Sequence, residues 1–459
     1  MKYKKKDVVI GILTIVIIAF GVVNIILGLP DAVIRGPISK TLVVGTLSPY
    51  VLDPVDSEDL ASNLILEQVV ETLFSYNLSD HMTPRIPLLA ETYWWENLTT
   101  LHIKLKEGIM FQDLTPFDAN ATKWNLDRML YFFNCTGELP SNMSVGEPFS
   151  LYYFSDGVTP IISSVVSDGA YNVTIFLNGA FSPFLDLLCY TAGAMLSPTS
   201  TPIDHYINLT YGRVIGTGPF IYEYYIPNVE VSLGRFDYYW QGPAFFEEVV
   251  MVSITDTTTR NNAMLNHEID WLIAPNPSLY PIFEADPAIH VERFTEKYGI
   301  PSLVYQYLGM NNKLINVTWR KAISYAINYT YIIEELLNNA VVRANSPISP
   351  GYGYAYNASN AAADYDLITA RQIIVDNIPA ATGFPVNNNP SDPTWLGATL
   401  TSFNYTYNIP GSYREYIYYP LTGWLSAIGI QLIEGGITWS EYRDRLFIRH
   451  DYLELFWIG

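Results

Sequence analysis

The residues best able to do chemistry are scattered along this chain of 459 residues. The six histidines stand at positions 81, 102, 205, 267, 290 and 450, and none lies three or four residues from another. Motifs that place metal ligands, nucleophiles or phosphates, such as His-Glu-x-x-His, Gly-x-Ser-x-Gly, a Gly-rich phosphate loop or Cys-x-x-Cys, are absent from the sequence. We therefore expect no enzyme, no metal site and no cofactor.

Aromatic residues are the chemical feature that the composition does offer. The chain holds 10 Trp, 35 Tyr and 21 Phe, and rings with polar tips suit clefts that grip polar ligands. The same rings also suit the outer surface of a protein that is poor in lysine. Composition alone leaves both interpretations open.

The charge balance excludes one class of partner. Lys and Arg number 25 against 45 Asp and Glu, which gives a formal charge of −20. Nucleic-acid binding needs clustered basic side chains, so it is excluded. Charged residues make up 15% of the chain, below the roughly 25% of ordinary soluble domains. Something other than charge must therefore solvate the surface.

The N-terminus has the pattern of a membrane anchor. Four lysines within residues 1–7 precede an uncharged run from Val8 to Leu29, long enough to cross about 30 Å of hydrocarbon as a helix. Lysines favour the cytoplasmic side. We expect a cytoplasmic tail (1–7), a single membrane span (8–29), a linker (30–40) and the bulk of the chain outside the cell. A cleaved signal peptide is the alternative, although its apolar core is usually only about 7–15 residues.

The remaining chain carries many candidate glycosylation sites, which agrees with an extracellular location. Eleven Asn-x-Ser/Thr sequons are present, more than the roughly four that chance would give. They begin at Asn77, Asn97, Asn120, Asn134, Asn142, Asn172, Asn208, Asn316, Asn328, Asn357 and Asn404. The alternative is that Asn, Ser and Thr are simply abundant. Cys135 and Cys189 are the two cysteines, and a disulfide or two separate thiols fit them equally well.

Helix and strand signals alternate along the chain, which predicts an α/β protein. Strand patterns appear at 41–47, 101–105, 172–177 and 220–225. Ser57 and Asp118 have the position of helix caps, and the longest helix signal runs from about Thr318 to Asn338. The acidic stretch between Asp53 and Asp59 lacks the spacing and central Gly of a calcium loop. We interpret it as turn residues followed by a helix N-terminus.

Four ordered segments resemble the extracytoplasmic solute-binding proteins of family 5, which serve peptide- and nickel-type ABC importers. The first, residues 105–119, is similar to the family's Leu-Arg-x-Gly-x-x-Phe-x-Asp-Gly-x-Pro-Phe-x-Ala pattern, with Leu114 in place of the second Gly. The second joins Gly216-Thr217-Gly218-Pro219 to Arg235-Phe-Asp-Tyr238-Tyr-Trp240-Gln-Gly-Pro243. The third joins Gly309-Met-Asn311 to Trp319-Arg320-Lys-Ala-Ile-Ser-Tyr-Ala-Ile-Asn328. The fourth joins Trp439-Ser-Glu-Tyr442 to Asp451-Tyr-Leu-Glu-Leu-Phe-Trp457.

The resemblance implies a two-lobed periplasmic-binding-protein-like fold of class II. Lobe I would run over 41–305 with an inserted subdomain at about 80–205, and lobe II over 306–459. The family normally continues beyond this point, so we expect a C-terminally truncated member of the membrane-anchored archaeal type. A strand-like run at the very end, Leu453 to Ile458, is consistent with that expectation.

The resemblance also implies roles for single residues. It places aromatic ligand contacts at Trp439, Tyr442 and Trp457. It gives structural roles to eight residues, Gly216, Thr217, Gly218, Pro219, Tyr238, Trp240, Asn311 and Arg320. The two glycines allow either φ > 0 or a close approach of two backbones, and we interpret the segment as a structural turn rather than a phosphate site because no helix follows it.

The function that the resemblance implies is that of a substrate-binding receptor. It would be a monomer that closes its lobes on an oligopeptide or similar small solute and delivers it to the permease subunits of an ABC importer. An oligosaccharide is the alternative ligand. Alternatives of another class are an extracellular hydrolase that uses a carboxylate pair and a sensor or surface protein without transport.

Overall fold

The computed structural model describes residues 40–77, 85–134, 147–292, 304–352, 355–360, 362–378, 389–409, 413–449, 451 and 453–458. The described chain divides into two compact units. Unit 1 holds the residues up to Thr255 together with Thr259–Ala274, and unit 2 holds Asp256–Thr258 and the residues from Pro275 onward. The expected boundary of the lobes at 305/306 stays a prediction.

Unit 1 contains eleven strands and four α-helices among the described residues. They are β1 (Thr41–Thr46), α1 (Leu60–Val69), β2 (Phe74–Tyr76), β3 (Arg85–Pro87), β4 (Ala90–Asn97), β5 (Thr100–Leu105), α2 (Ala119–Phe132), β6 (Ile162–Asp168), β7 (Asn172–Leu177), α3 (Phe184–Leu187), β8 (Phe220–Ile226), β9 (Glu230–Arg235), β10 (Glu248–Ser253), α4 (Thr257–Leu265, whose first two residues belong to unit 2) and β11 (Trp271–Leu272). Short 3-10 turns lie at Pro54–Asp56, Glu147–Tyr152 and Thr191–Gly193.

The main sheet of unit 1 has five strands in the order β11-β1-β10-β9-β8. Strand β1 runs parallel to β10 and to β11, while β9 is antiparallel to β10 and to β8. Val44, Leu233 and Val249 of this sheet are buried with Ile65 and Leu66 of α1. The apolar stripe of α1 therefore closes one core of the unit.

A second sheet of unit 1 has four antiparallel strands in the order β4-β5-β7-β6. Alternate residues Leu101, Ile103 and Leu105 are buried in a core with Leu126 and Met129 of α2, as the period-two pattern predicts. This sheet lies within the region expected to be an inserted subdomain, 80–205. Strands β2 and β3 form a separate two-stranded sheet.

The described part of unit 2 is built around a four-stranded sheet. Its elements are a 3-10 turn (Pro277–Leu279), α5 (Tyr280–Ala285), β12 (Tyr307–Met310), α6 (Val317–Ala326), α7 (Tyr329–Tyr331) with a π turn (Ile332–Leu336), α8 (Leu367–Asn377), a 3-10 turn (Pro393–Trp395), β13 (Thr401–Ile409), α9 (Tyr413–Tyr416), α10 (Tyr418–Ser426), β14 (Ile430–Thr438), α11 (Trp439–Arg443) with a π turn (Asp444–Ile448), and β15 (Leu455–Ile458). The strand order is β12-β15-β13-β14, with β13 parallel to both neighbours and β12 antiparallel to β15.

Two sequence predictions about helices are wrong in detail. The helix predicted over 318–338 stops at Ala326, because Ile327 is extended and the Asn328 side chain accepts from the Tyr331 amide to start a new helix. The cap of α1 is Asp59 and not the predicted Ser57. The Asp59 side chain accepts a hydrogen bond from the Ser62 amide. The cap at Asp118 is confirmed, since it accepts from Ala121 N at 2.8 Å.

The acidic stretch contains one residue that is more than a turn residue. Asp53 is buried and forms a bidentate ion pair with Arg128 of α2, at 3.0 and 2.5 Å. It also accepts from the Ile207 amide at 2.9 Å. A buried ion pair with its lone pairs satisfied resists the loss of either partner, so this contact ties the loop after β1 to α2 and to the segment near Ile207.

The expected membrane span, Val8–Leu29, lies outside the described residues, as do Cys135 and Asn142. Among the helices of the described ranges, none is both long and apolar enough to cross a bilayer. Cys189 is a free, buried thiol that donates to the Leu185 carbonyl, and burial raises its pKa to about 12.

Candidate functional site

A buried carboxylate organises the signature segments of unit 1. Glu71 follows the end of α1 and accepts three hydrogen bonds from neutral donors: Thr217 Oγ1 at 2.8 Å, Tyr239 OH at 2.7 Å and Trp240 Nε1 at 2.8 Å. Tyr239 and Trp240 come from the segment after β9, and Thr217 from the Gly-Thr-Gly-Pro segment. The two motifs are therefore joined through one side chain.

The electrostatics of Glu71 are set by burial. Burial raises its pKa to about 7, against the opposing effects of the hydrogen bonds from Trp240, Tyr239 and Thr217 and of the Lys106 charge. The Lys106 ammonium lies 4.6 Å from the centroid of the Trp240 ring and donates to the Leu88 carbonyl. Burial also lowers the pKa of Lys106. Lys106 thus supplies a nearby cation without a direct contact to the carboxylate.

The glycines of the Gly-Thr-Gly-Pro segment allow its backbone to lie close against the backbone of α1. A Cβ on Gly216 would stand 2.2 Å from the Val69 carbonyl oxygen, and one on Gly218 would stand 2.7 Å from the Gln68 carbonyl oxygen. Neither glycine has a positive φ. Of the two explanations that the sequence leaves open, the structure therefore selects close packing against the last turn of α1.

Gln112 connects the first signature segment to the second. Its Nε2 donates to the carbonyls of Val69, Gly218 and Phe220 at 3.0, 3.1 and 2.7 Å. Its Oε1 accepts from the Gly216 amide at 3.1 Å, and its own amide donates to the Gly216 carbonyl at 2.9 Å. A buried amide with this many partners fixes the relative position of three chain segments.

The turn after Gln112 keeps a shape that suits glycine, although Leu114 occupies it. Leu114 has φ +65° and is 53% exposed. Asp113 beside it accepts from Ser197, Ser200 and Thr115. Burial alone would raise the pKa of Asp113, but these hydrogen bonds hold it below its ordinary value. The turn is therefore retained through the Asp113 network at the cost of strain at Leu114.

Sequence reasoning found Thr217 and Trp240 but missed their shared partner. Glu71 is a lone acid within the apolar run Val69-Val70-Glu71-Thr72-Leu73, and such isolation was the available signal. The interior contact of the Tyr-Tyr-Trp motif is made by Tyr239, whereas Tyr238 is 72% exposed. The structural role expected for Tyr238 therefore belongs to its neighbour, because the Tyr239 ring points into the core.

The three aromatic residues predicted to contact ligand lie close together in unit 2 but differ in exposure. Tyr442 is fully buried, and its hydroxyl donates to the Trp457 carbonyl at 2.6 Å. Trp457 is 9% exposed and packs in the core of unit 2, and its Nε1 has no hydrogen-bond partner among the described residues. Both side chains have the placement of packing residues.

Trp439 is the member of this group with a partly open ring. It is half-buried at the start of α11. Its ring centroid lies 5.9 Å from that of Tyr442, and the Arg414 guanidinium stands 5.8 Å from the Trp439 ring. These contacts fix the position of the ring, and its partial exposure is compatible with stacking on a ligand. The role of Trp439 in ligand binding stays a prediction.

The remaining signature residues of unit 2 connect β12 to α6. The Asn311 amide donates to the Glu454 carbonyl, and Asn311 Oδ1 accepts from the Lys313 amide at 2.9 Å. Arg320 lies on α6, and its Nε is buried without a hydrogen-bond partner among the described residues. Its guanidinium forms no salt bridge with a described residue.

Metal binding finds no support in the described part of the chain. No group of three or more His, Cys, Asp or Glu side chains in the described ranges is placed to hold a metal ion.

Comparison with known proteins identifies the family. The model of the bacterial extracellular solute-binding proteins, family 5, matches residues 85–446, and this chain belongs to that family. The family consists of binding proteins rather than enzymes, which confirms the expectation that the chain is no enzyme.

Curated relatives include glutathione-binding proteins. The glutathione-binding protein GsiB of Escherichia coli strain K12 is 26% identical over 343 residues, which cover 73% of this chain and 61% of that protein. GsiB of Shigella flexneri serotype 5b is 27% identical over the same shares. This chain thus spans about three fifths of the length of the curated relatives it matches.

Solved structures show the same α/β periplasmic-binding-protein fold. The binding protein DppA of Helicobacter pylori, in complex with the peptide STSA, has a TM-score of 0.72 at 20% identity, over 91% of this chain and 77% of that one. NikZ of Campylobacter jejuni, in complex with Ni(L-His), has a TM-score of 0.70 at 18% identity, over 92% of this chain and 77% of that one. AppA of Bacillus subtilis, in complex with a nonapeptide, has a TM-score of 0.67 at 19% identity, over 91% of this chain and 78% of that one. At these identities the likeness establishes the fold.

Proposed function

We propose that this protein is the extracytoplasmic substrate-binding receptor of an ABC importer and captures an oligopeptide or a similar small solute. The observation that carries the proposal is the family match over residues 85–446. The relatives with a known ligand, which bind glutathione or are solved with a peptide or a nickel–histidine complex, support this class of solute. Binding needs burial, stacking and backbone hydrogen bonds rather than catalysis.

The two units are the lobes that we propose to close on the solute by a hinge motion, as the resemblance implies. The network around Glu71 and Gln112 supports the idea that unit 1 moves as a rigid body, because it joins segments far apart in sequence by buried hydrogen bonds. Trp439 supplies the stacking surface in unit 2. A closed form would then present a new surface to the permease subunits.

Tethering and glycosylation complete the proposal. Val8–Leu29 anchors the chain with the bulk of it outside the cell, which agrees with an extracellular family. The sequons provide the solvation that the charge-poor surface lacks. Of the ten sequon asparagines in the described ranges, eight are exposed and Asn77 and Asn328 are half-buried, so most are accessible to a glycosylating enzyme.

The proposal is tested by finding the bound solute. We expect mass spectrometry of material released on denaturing the purified full chain to show peptides. Titration calorimetry with short peptides, glutathione, the nickel–histidine complex and oligosaccharides then ranks the ligand classes. Peptide turnover by pure protein, or binding of oligosaccharides alone, would contradict the proposed function.

A matched pair of tryptophan variants tests the site. Trp439→Ala should weaken solute binding at least about fivefold, because one stacked ring contributes about 1 kcal/mol beyond the area that it buries. Trp94→Ala is the control, since Trp94 is 52% exposed on the outer face of β4 in unit 1. Equal effects of the two substitutions would remove Trp439 from the site.

A further inference from the structure

The turn between strands β4 and β5 carries a sequon on the outer face of their sheet. Trp94 pairs with His102 and Asn97 pairs with Thr100, with a shift of register between the two pairs. Residues paired across antiparallel strands share a face of the sheet, and Thr100 and His102 share one because they are two residues apart. The residue between them, Leu101, points into the core. Asn97 and Trp94 therefore lie side by side on the outer face.

The side chain of Asn97 is held in a way that leaves one amide hydrogen for a substituent. Its Oδ1 accepts hydrogen bonds from the Thr99 amide at 2.8 Å and from Thr99 Oγ1 at 2.9 Å. Its Nδ2 donates to Thr100 Oγ1 at 3.1 Å. An amide nitrogen carries two hydrogens, and Asn97 is exposed. A sugar can therefore replace the second hydrogen while all three hydrogen bonds persist.

Large aromatic rings flank Asn97 on this face. Trp94 is 52% exposed. It stacks on His102 with ring centroids 4.9 Å apart and an interplanar angle of 15°, which holds the Trp94 ring in place. Phe176 of β7 pairs with Thr100, the partner of Asn97, and is 37% exposed. Contact of such rings with water is unfavourable, so a group that covers them would stabilise the sheet.

We propose that Asn97 carries an N-linked glycan whose first sugar packs against the Trp94 ring and covers this face of the sheet. Such a glycan requires the extracellular location proposed above, so the inference rests on the proposed function. The C–H groups of a sugar form an apolar face that suits an aromatic ring, while its hydroxyls remain in water. In the transfer, Asn97 Nδ2 bonds to C1 of a lipid-phosphate-linked oligosaccharide, the C1–O bond to the phosphate breaks, and the amide proton leaves for a base of the transferase.

Glycopeptide mass spectrometry of the full chain, produced in a host that attaches N-glycans, tests the modification. A glycan should be present on Asn97. Thr99→Ala should lose it, because the hydroxyl at this position completes the sequon, whereas Thr99→Ser should keep it. An unmodified Asn97 beside other sequons that carry glycans would overturn this inference and leave the proposed glycosylation intact. Unmodified sequons throughout the chain from its native source would overturn both.

Hydroxyl-radical footprinting tests the packing, on the unaltered full chain made in hosts with and without N-glycosylation. Trp94 should lose most of its reactivity in the glycosylated form, because the sugar covers its ring. Tyr238, which is 72% exposed and far from any sequon in the sequence, should react equally in both forms. Equal oxidation of Trp94 in the two forms would overturn the proposal.

Thermal unfolding tests whether the contact is stabilising. The difference in melting temperature between Thr99→Ser and Thr99→Ala should be larger by about 2–4 °C in the glycosylating host than in the other, the shift expected for one ring contact in a unit of this size. Trp94→Ala should abolish this gain, because it removes the ring and leaves the sequon. A gain that persists undiminished in Trp94→Ala would overturn the proposal.

Discussion

The Glu71 carboxylate shows how a single acid is tolerated in the core of unit 1. Its oxygens accept three hydrogen bonds from neutral donors, and the nearest cation, Lys106, lies over the Trp240 ring. Hydrogen bonds offset part of the desolvation of the charged form. Because burial still dominates, the pKa of Glu71 lies at about 7, and its protonation is coupled to the stability of the unit.

This coupling predicts a pH dependence of stability. The folded state keeps the proton on Glu71 up to about pH 7, whereas the unfolded chain releases it near pH 4.5. The free energy of unfolding should therefore fall by about 3 kcal/mol as the pH rises through this window, and this contribution stays constant outside it. Burial also raises the pKa of Glu67, to about 8, so Glu71→Gln should reduce the fall by the share of Glu71 and leave that of Glu67, measured by urea unfolding at several pH values.

The control for this prediction is Glu268→Gln, which changes an exposed glutamate of the same unit. It should leave the difference in stability across the window unchanged. An undiminished fall in Glu71→Gln would mean that Glu71 does not contribute to the pH dependence.

Leu114 provides a prediction with the opposite sign, a gain in stability. Its left-handed backbone, φ +65°, costs an L-residue about 1–2 kcal/mol, and glycine is free of this strain. After the larger chain entropy of unfolded glycine is subtracted, Leu114→Gly should stabilise the protein by about 0.5–1 kcal/mol. Thermal unfolding measures the change.

Leu98→Gly is the matched control for this substitution. Leu98 is a 77% exposed turn residue that is not among the positive-φ residues. Here glycine relieves no strain, so the substitution should be destabilising. Loss of stability in both variants would show that Leu114 is not strained.

At the scale of elements, the end of α1 is the point where separate segments meet. The Val69 carbonyl accepts hydrogen bonds from the Gln112 side chain and from the Gly218 amide. Gly216 packs directly against the same carbonyl. A helix end must satisfy its last carbonyls, and here donors from other segments do so. The first two signature segments are thus held together at the end of α1.

Gly216→Ala should disrupt the contact between these segments and the end of α1. The new Cβ would stand 2.2 Å from the Val69 carbonyl oxygen, and since that oxygen is backbone, the segments must separate, at a cost of about 2 kcal/mol or more. Gly423→Ala is the control, because nothing lies within 4 Å of a Cβ there and the site is inside α10. It should stabilise by about 0.5–1 kcal/mol. Similar unfolding midpoints for the two variants would contradict this account.

At the scale of the whole molecule, the charge of −20 bears on which solutes arrive fastest. An acidic surface attracts cationic ligands over distances comparable to the Debye length, about 10 Å at 0.1 M salt. The proposed receptor should therefore favour neutral and cationic solutes over acidic ones.

Stopped-flow binding tests the effect of the field. A cationic peptide should associate roughly tenfold faster than its neutral analogue at low salt, and the difference should vanish at high salt, where screening is nearly complete. The neutral peptide serves as the internal control, because its rate should change little with salt. Equal salt dependence of both rates would exclude electrostatic steering.

The sequence by itself determined the class of the protein. Local periodicity placed β5 and β7 correctly, because the alternation of Leu101, Ile103 and Leu105 is a property of neighbouring residues. Ordered motifs identified the family over most of the chain. The helix predicted over 318–338 failed because apolar spacing continues through Ile327, whereas the cap at Asn328 depends on how the side chain is used.

Only the tertiary structure decided which residues act together. The partnership of Glu71 with Thr217, Tyr239 and Trp240 spans 146 to 169 residues of sequence, and no local pattern encodes such a contact. The same holds for Tyr239 taking the interior position beside Tyr238, and for Arg320, which has no carboxylate partner in the described part of the chain. Periodicity follows from the geometry of one element, but hydrogen-bond partners and burial follow from the packing of several elements, and that packing exists only in the folded chain.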